Sequence, residues 1–229
     1  MVIGVAPYVQ DLLPMKIKRF EAISEIGMEE VSAAKAYTEE LCLGAKLLYV
    51  GRIVRTKGLR DAITALSMIP KTLKWRLDVL GDGDDREYCE NLVSQLRLRD
   101  AIHFHGRVPR SIVDGYYRNA DLFLFPSFRE PSGNVVIEAL SHGLPVITSS
   151  IGGPGFAVDG SCGRTIRAVS PQQYSKDIAK ALLELLRDPI EMSRLSCGAI
   201  ERVKSEYLWS NKAQRMLQIY RDVVDKHHS

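Results

Sequence analysis

The sequence predicts an α/β protein in which a doubly wound parallel sheet is followed by a helical C-terminal extension. From Lys46 onward, short apolar runs of strand length alternate with segments of helical periodicity, as βαβ units require. The run DLFLF, within residues 121–127, is apolar throughout, which is typical of a strand covered on both faces. We therefore expect a Rossmann-like domain.

Five runs are predicted to form the strands of this sheet. Most of them end in glycine or serine, where a strand would turn. In chain order they are KLLYVG (46–51), WRLDVLG (75–81), AIHFHG (101–106), DLFLFPS (121–127) and LPVITSS (144–150).

Helices are predicted between and after these strands, because apolar residues recur there at steps of three or four. In residues 58–69, for example, Leu59, Ile63 and Leu66 fall on one face. The other predicted helices cover 85–97, 133–142 and, beyond Ser170, the segments 171–187, 188–206 and 208–226.

The first 44 residues differ from the rest, so the domain proper is predicted to cover residues 45–229. Residues 1–44 contain one candidate strand, KIKRFEAIS (16–24), and one candidate helix, EEVSAAKAYTEELC (29–42). Two such elements bury too little surface to form a core of their own. We interpret residues 1–44 as the remnant of a preceding domain together with a linker.

Composition places the chain among ordinary globular proteins, since 45% of its 229 residues are hydrophobic and 26% are charged. The formal net charge of +3 is too small to indicate nucleic-acid binding. Four widely spaced cysteines without a CxxC pair favour free thiols in a reducing cytoplasm. The sequence shows no signal peptide and no apolar run long enough to span a membrane, so we expect a soluble protein.

The loop GRIVRTKG (51–58), after the first core strand, is a candidate phosphate site. Arg52 and Lys57 lie in this loop before a helix start, and cations beside free helix N–H groups attract phosphate. A basic loop that is merely solvated is the alternative. The loop is not a Walker A motif, because neither GxxxxGKS nor GxxxxGKT is present.

The loop LGDGDD (80–85), after the second strand, is a weaker candidate. Gly81 and Gly83 could begin a dinucleotide fingerprint, but Arg86 stands where the third glycine belongs. A tight turn with aspartates that cap the next helix is the simpler interpretation.

The third candidate is EPSGNVVIE (130–138), which follows the DLFLFPS strand. Glu130 is expected in the loop that faces the cleft, and Glu138 is expected one turn inside the following helix. Capping or a dipole contact would explain Glu130, but it explains Glu138 poorly because apolar residues flank Glu138. A carboxylate accepts hydrogen bonds from two hydroxyls, so vicinal sugar diols are a natural partner. A sugar beside a phosphate suggests a nucleotide sugar.

Together these motifs resemble a known family. The stretches GRIVRTKG, LDVLGDGDD, IHFHGRVP and YYRNADLFLFPSFREPSGNVVIEALSHGLPVITSSIGGPG are similar, in this order, to the C-terminal domain of retaining GT-B glycosyltransferases of the glycosyl transferases group 1 type. That group includes sucrose synthase, bacterial glycogen synthase and the phosphatidylinositol mannosyltransferases. Glu130 and Glu138 match its E-x7-E motif. The resemblance covers about residues 45–225.

The resemblance implies a role for each matched residue. Glu130, Arg52 and Lys57 form the implied catalytic set, in which the two cations hold the donor diphosphate and Glu130 contacts the transferred sugar. Glu138 is expected to accept the ribose hydroxyls. The implied donor-binding residues are Gly51, Arg52, Lys57, Gly106, Arg107, Val108, Glu130, Gly133, Asn134, Val135 and Glu138. No metal and no other cofactor is implied, since the cations and the helix dipole do the electrostatic work of a metal.

Some residues fall outside this pattern. His103 and His105 lie two apart on one strand, and we interpret them as structural rather than as metal ligands. Ser132 stands where the family commonly has a large apolar residue, and Phe156 stands where GGxxE would place a glutamate.

The function implied is donor binding in a glycosyltransferase that moves a hexosyl unit from a nucleotide sugar, with UDP favoured, to a saccharide or lipid acceptor. We expect a part in cell-surface polysaccharide biosynthesis, in the cytoplasm or, for the full-length enzyme, at the inner face of the membrane. Family members carry a second domain at the N-terminus, so we expect this chain to be inactive unless that domain is present, in the same chain or as a separate one. A non-catalytic nucleotide-sugar-binding module that serves a partner chain is the alternative. An NAD-dependent oxidoreductase is disfavoured by the missing third glycine and the lack of an acidic residue ending the second strand.

Overall fold

The computed structural model describes residues 2–4, 20–23 and 26–227. Its strands are β1 (Val2–Gly4), β2 (Phe20–Ala22), β3 (Ala45–Val50), β4 (Trp75–Leu80), β5 (Ile102–Gly106), β6 (Leu122–Phe125), β7 (Val146–Ser149) and β8 (Gly163–Ile166). Its helices are α1 (Leu41–Gly44), α2 (Leu59–Leu66), α3 (Arg86–Gln95), α4 (Arg110–Asn119), α5 (Asn134–Ser141), α6 (Gly152–Ala157), α7 (Pro171–Leu186), α8 (Pro189–Glu206) and α9 (Trp209–His227).

The central sheet confirms the predicted fold class. Six parallel strands are arranged in the order β5-β4-β3-β6-β7-β8. Counted from β3, this is the 3-2-1-4-5-6 order of a doubly wound Rossmann sheet, whose direction of winding reverses between β3 and β6. All four residues of β6 are buried, as a strand covered on both faces requires.

The structure contains one core strand that the sequence analysis missed. Strand β8, GRTI, is four residues long, and only its first residue is fully buried. It pairs with β7 at the edge of the sheet, where Val146 is opposite Gly163. So short and polar a segment carries no periodicity of its own, and the exposed edge of β7 decides its conformation.

The three C-terminal helices confirm the helical extension. A capping box between Ser170 and Gln173 begins α7, and the Asp188 side chain accepts a hydrogen bond from the Glu191 N–H at the start of α8. None of the helices in the described residues is long and apolar enough to cross a membrane.

The prediction of a helix over residues 29–42 was wrong. Residues 26–40, which we call the strap, run without helical structure, and only Leu41–Gly44 form a short helix. Backbone N–H groups of the strap find tertiary partners instead of the carbonyl four residues earlier. The Ser32 N–H donates to the Ser141 carbonyl at 2.8 Å, and the Lys35 N–H donates to Ser196 Oγ at 2.7 Å. These bonds to α5 and α8 override the local helical propensity.

Lys35 fastens the strap to the C-terminal end of α4. Its ammonium donates to the carbonyls of Tyr117 at 3.3 Å, Arg118 at 2.8 Å and Ala120. The last carbonyls of a helix lack partners within the helix and carry the negative end of its dipole, so a lysine is favoured there. Burial lowers the pKa of Lys35 to about 8.

The candidate strand over residues 16–24 is described only in part. Phe20–Ala22 form β2, which pairs in parallel with Val2–Gly4. Residues 16–19 and 24 lie outside the described residues. The interpretation of residues 1–44 as a domain remnant with a linker stays a prediction.

The loops that follow β3 and β6 meet where the sheet reverses its winding. Gly58 has φ 74°, and a Cβ at this position would lie 2.0 Å from the Pro126 carbonyl oxygen. The Phe128 N–H and the Ser127 hydroxyl both donate to the Thr56 carbonyl, at 3.1 and 3.2 Å. The two loops are therefore fixed relative to each other.

We predict that Gly58→Ala destabilises the domain. Both the left-handed backbone and the contact with Pro126 oppose a methyl group, so the free energy of unfolding should fall by about 1–3 kcal/mol. Gly115→Ala is the matched control, because Gly115 lies inside α4 with open space around its Cβ position. That substitution should raise the free energy of unfolding by about 0.5–1 kcal/mol. Urea unfolding measures both, and equal effects would refute the proposed close contact.

Candidate functional site

A cleft of about 630 Å³ opens at the carboxyl ends of β3 and β6. We call it the β3–β6 cleft. Ligands of open α/β sheets bind at this kind of position, where the strand order reverses. The cleft is lined by Gly51, Arg52, Thr56, Lys57, Phe125, Arg129, Glu130, Pro131, Ser132, Asn134 and Val135.

Lys57 and Glu130 form an ion pair inside this cleft. Lys57 ends the 3-10 turn Arg55–Lys57 that follows β3, and its Nζ contacts Glu130 Oε2. The side chains are only 10% and 18% exposed, respectively. The structure therefore brings these two predicted residues together and pairs them with each other.

Two further arginines line the cleft and are exposed to solvent. Arg52 was predicted as a site residue, whereas Arg129 was not. The described residues offer neither of them an ion-pair partner. Arg55, by contrast, is held by Asp61 at 2.5 Å and stacks on the Phe128 ring. The cleft thus contains three cations and one carboxylate, which favours an anionic ligand.

The N-terminus of α5 adds partial positive charge to the cleft. Gly133 is the N-cap of this helix with φ 75°, and it makes no side-chain capping hydrogen bond. A Cβ at Gly133 would lie 2.8 Å from Pro154 Cγ, so a larger residue would displace the helix start. Asn134 and Val135, the first helical residues, line the cleft. Uncapped helix N–H groups together with nearby cations form a site for phosphate.

A second cavity of about 500 Å³ adjoins the first and shares Gly51 and Arg52 with it. We call it the β4–β5 cavity. Arg107 and Val108, two of the donor-binding residues that the resemblance implies, line this cavity. Gly106 is not among the lining residues, because it ends β5 and its carbonyl accepts a hydrogen bond from the Gly81 N–H at 2.7 Å.

Glu138 lines neither the β3–β6 cleft nor the β4–β5 cavity. It lines a third cavity, of about 860 Å³, which we call the strap cavity because strap residues 26–32 form one wall. Asn134 is shared between the strap cavity and the β3–β6 cleft, whereas Glu130 lines only the cleft. The two predicted glutamates therefore occupy adjoining cavities rather than one.

Glu138 has two partners that the sequence analysis did not identify. Its Oε1 lies 2.8 Å from Nη1 of Arg110, and Oε2 accepts a hydrogen bond from the Tyr117 hydroxyl at 3.3 Å. The hydrogen bond to Glu138 raises the pKa of the Arg110 guanidinium. Burial, and after it the charge of Glu138, raises the pKa of the Tyr117 phenol well above its usual value. Arg110 directly follows the GRVP motif, a signal that could have indicated it.

Of the two histidines of β5, His105 contacts polar side chains of neighbouring elements. His105 Nε2 lies 2.8 Å from Asp78 Oδ1, and the Tyr116 hydroxyl lies 3.2 Å from His105 Nδ1. This network satisfies the buried carboxylate of Asp78, in agreement with the structural interpretation of His105. In the described part of the chain, no group of three or more His, Cys, Asp or Glu side chains is placed to hold a metal ion. Independence from metal stays a prediction.

The two residues that depart from the family pattern lie in different places. Ser132 lines the β3–β6 cleft. Phe156 in α6 is not among the cleft-lining residues, and its ring is 40% exposed with the Arg202 guanidinium 6.0 Å from its centroid.

A cleft that combines cations with a helix N-terminus at the switch point of a parallel sheet is typical of α/β proteins that bind nucleotides and related ligands. Residues 44–202 match the family model described as "Glycosyl transferases group 1", and the chain belongs to this family. Its fold is that of the Rossmann-like C-terminal domain of GT-B glycosyltransferases.

A curated relative agrees with the family assignment, and solved structures agree with the fold. Glycogen synthase of Mycobacterium tuberculosis is 33% identical over 177 residues, which cover 77% of this chain and 42% of the relative. Sucrose-phosphate synthase of Thermosynechococcus elongatus superposes with a TM-score of 0.77 at 26% identity, over 98% of this chain and 58% of that one. A structure of Anabaena HepE in complex with UDP has a TM-score of 0.76 at 18% identity, over 97% and 64% of the two chains. The chain spans less than half the length of the curated relatives it matches.

Proposed function

We propose that this chain is the donor-binding part of a retaining hexosyltransferase that uses a nucleoside diphosphate sugar. The observation that carries the proposal is the β3–β6 cleft, which Arg52, Lys57, Arg129 and Glu130 line together beside the uncapped start of α5. Cations suit a diphosphate, and a carboxylate suits sugar hydroxyls.

The chemistry that such a cleft supports is departure of the nucleoside diphosphate. Negative charge grows on the leaving phosphate as its bond to the anomeric carbon breaks. Arg52, Lys57 and the first N–H groups of α5 would stabilise this charge, because preorganised cations and dipoles act most strongly where charge develops. In this proposal no metal ion is needed at the phosphate.

The remaining parts of the donor fit the adjoining cavities. The base would lie in the β4–β5 cavity against Arg107 and Val108, and the ribose hydroxyls would reach Glu138. Arg110 and Tyr117 orient that carboxylate, and its remaining lone pairs would accept hydrogen bonds from the diol. We favour UDP as the nucleotide, since the structurally similar HepE was crystallised with UDP.

The acceptor of the whole enzyme would be a saccharide or a lipid, held by a second domain across the cleft. We also propose that the enzyme works in the cytoplasm, since the three cysteines whose side chains are described are free thiols.

Phe156 supports a second candidate function, a non-catalytic module that binds a nucleotide sugar for a partner chain. It stands where the family pattern has a glutamate, so binding and catalysis need separate tests.

The first test is Arg52→Ala. Well-formed charge-assisted hydrogen bonds contribute about 1.5–3 kcal/mol each, so the Kd for UDP should rise about tenfold or more. Arg187→Ala is the matched control, because Arg187 is exposed at the C-terminal end of α7, far along the chain from the cleft. Isothermal titration calorimetry gives both Kd values. Equal affinity of the Arg52→Ala and wild-type proteins for UDP would contradict the phosphate assignment.

The second test is Glu138→Gln, which probes the ribose. We expect weaker binding of UDP by about fivefold or more and unchanged binding of inorganic pyrophosphate, which has no ribose. Glu87→Gln, an exposed position on α3, controls for the change in net charge. An equal loss of affinity for pyrophosphate would show that Glu138 acts on the phosphates and would exclude the ribose role.

The third test concerns transfer. Holding an acceptor hydroxyl against the anomeric carbon in a dry cleft supplies several kcal/mol of barrier lowering, and the described residues supply one wall of that cleft. Residues 1–229 alone should therefore bind a UDP-hexose but give at most slow hydrolysis. Transfer should appear once an acceptor-binding domain is supplied, in the same chain or separately. Multiple turnovers onto an acceptor by residues 1–229 alone, followed by product chromatography, would disprove this expectation.

A further inference from the structure

The Lys57–Glu130 ion pair is held in place from both sides. Lys57 directly precedes Gly58, whose backbone is packed against the Pro126 carbonyl. The main chain of Glu130 is tied to α6, because its carbonyl accepts a hydrogen bond from the Gly153 N–H at 3.0 Å and packs closely on Gly152. The low exposure of both side chains keeps solvent from screening them. The pair is therefore a built feature of the cleft, unlike a mobile surface contact.

Pairing with Glu130 limits what Lys57 can offer to an anion. A phosphate that approaches the Lys57 ammonium must share it with the carboxylate or displace the carboxylate. A Glu130 carboxylate left beside bound phosphate would face a like charge in a poorly screened place, which is unfavourable. Among the described residues, Lys57 is the one cation that forms an ion pair with Glu130, whereas Arg52 and Arg129 are exposed and form none with it.

A nucleotide sugar removes this conflict, and a nucleoside diphosphate does not. The diphosphate of the donor takes over Lys57, and the hydroxyls of the sugar can replace Lys57 as hydrogen-bond donors to Glu130. Both groups of the ion pair then keep a partner. When the nucleoside diphosphate binds alone, Lys57 gains phosphate but Glu130 loses its partner.

We infer that the Lys57–Glu130 pair is a partner-exchange device that favours the nucleotide sugar over the nucleoside diphosphate product. Glu130 opposes phosphate binding whenever no sugar occupies the cleft, and it thereby promotes product release. The inference rests on the proposed function, because it takes the diphosphate to lie on Lys57. Glu138 has no such effect, since its partner Arg110 is 79% exposed and lines a different cavity.

The test is Glu130→Gln, which keeps the shape of the side chain and removes its charge. Calorimetric titrations use UDP, inorganic pyrophosphate and the tightest binder from a panel of UDP-hexoses. We expect UDP and pyrophosphate to bind the variant about threefold more tightly or better, since loss of a partly buried ion pair frees Lys57. The UDP-hexose should gain less, so the preference for it over UDP should shrink.

Three further variants keep the result interpretable. Glu87→Gln makes the same change in net charge outside the cleft and should leave all affinities unchanged. Glu130→Asp keeps the charge and should bind UDP nearly as the wild type does. In a Lys57→Gln background, Glu130→Gln should improve UDP binding less than it does in the wild type, because the exchanged partner is gone. Thermal unfolding verifies that each variant is folded.

Titrations of the wild-type protein distinguish a failure of the proposed donor site from a failure of the partner-exchange inference. If the wild-type protein binds neither UDP nor pyrophosphate, the proposed donor site is wrong and the inference falls with it. If the wild type binds them and Glu130→Gln binds UDP equally or more weakly, only the partner-exchange inference is overturned. An unchanged preference for the UDP-hexose in Glu130→Gln would overturn it as well.

Discussion

The contact between Gly58 and the Pro126 carbonyl is the constraint on which the site depends. Strands β3 and β6 are neighbours in the sheet, and the chain continues from them toward opposite edges. Because crossovers between parallel strands are right-handed, the helices that follow these two strands lie on opposite faces. A residue without a Cβ lets the loops after the two strands approach within van der Waals distance. This approach places Lys57, from one loop, against Glu130, from the other. The packing of these two loops at the carboxyl ends of β3 and β6 thus creates the charged cleft.

Around the β3–β6 cleft, some charged side chains are paired with each other and others are exposed to solvent. Asp61 pairs with Arg55, and Asp85 pairs with Arg60, so these carboxylates are neutralised away from the cleft. Arg52 is left exposed at the cleft itself. A buried carboxylate without a partner is costly, which explains why each inward-facing glutamate of the E-x7-E motif has a cation beside it. A ligand that displaces the cation from one of these carboxylates must therefore supply hydrogen-bond donors or positive charge in its place.

The strap links the site to the rest of the domain. It crosses α5 and α8, is fastened by Lys35 to the C-terminal end of α4, and forms a wall of the cavity that contains Glu138. At its start it pairs with the corner between α8 and α9, where the Trp209 N–H donates to the Met28 carbonyl at 3.1 Å. A displacement of the strap would therefore be felt both at Glu138 and at the final helix.

The sequence by itself determined the α/β class, the five central strands and the C-terminal helices, because periodicity and turn residues are local properties of the chain. Its motifs also indicated the loops that form the cleft, since parallel strands present their carboxyl ends at one edge. Strand β8 and the extended strap were decided by tertiary structure, because their backbone groups bond to β7, α5 and α8 rather than to near neighbours. The same holds for the partners of the glutamates. Lys57 is 73 residues from Glu130 along the chain, and only the close packing of two loops makes them a pair.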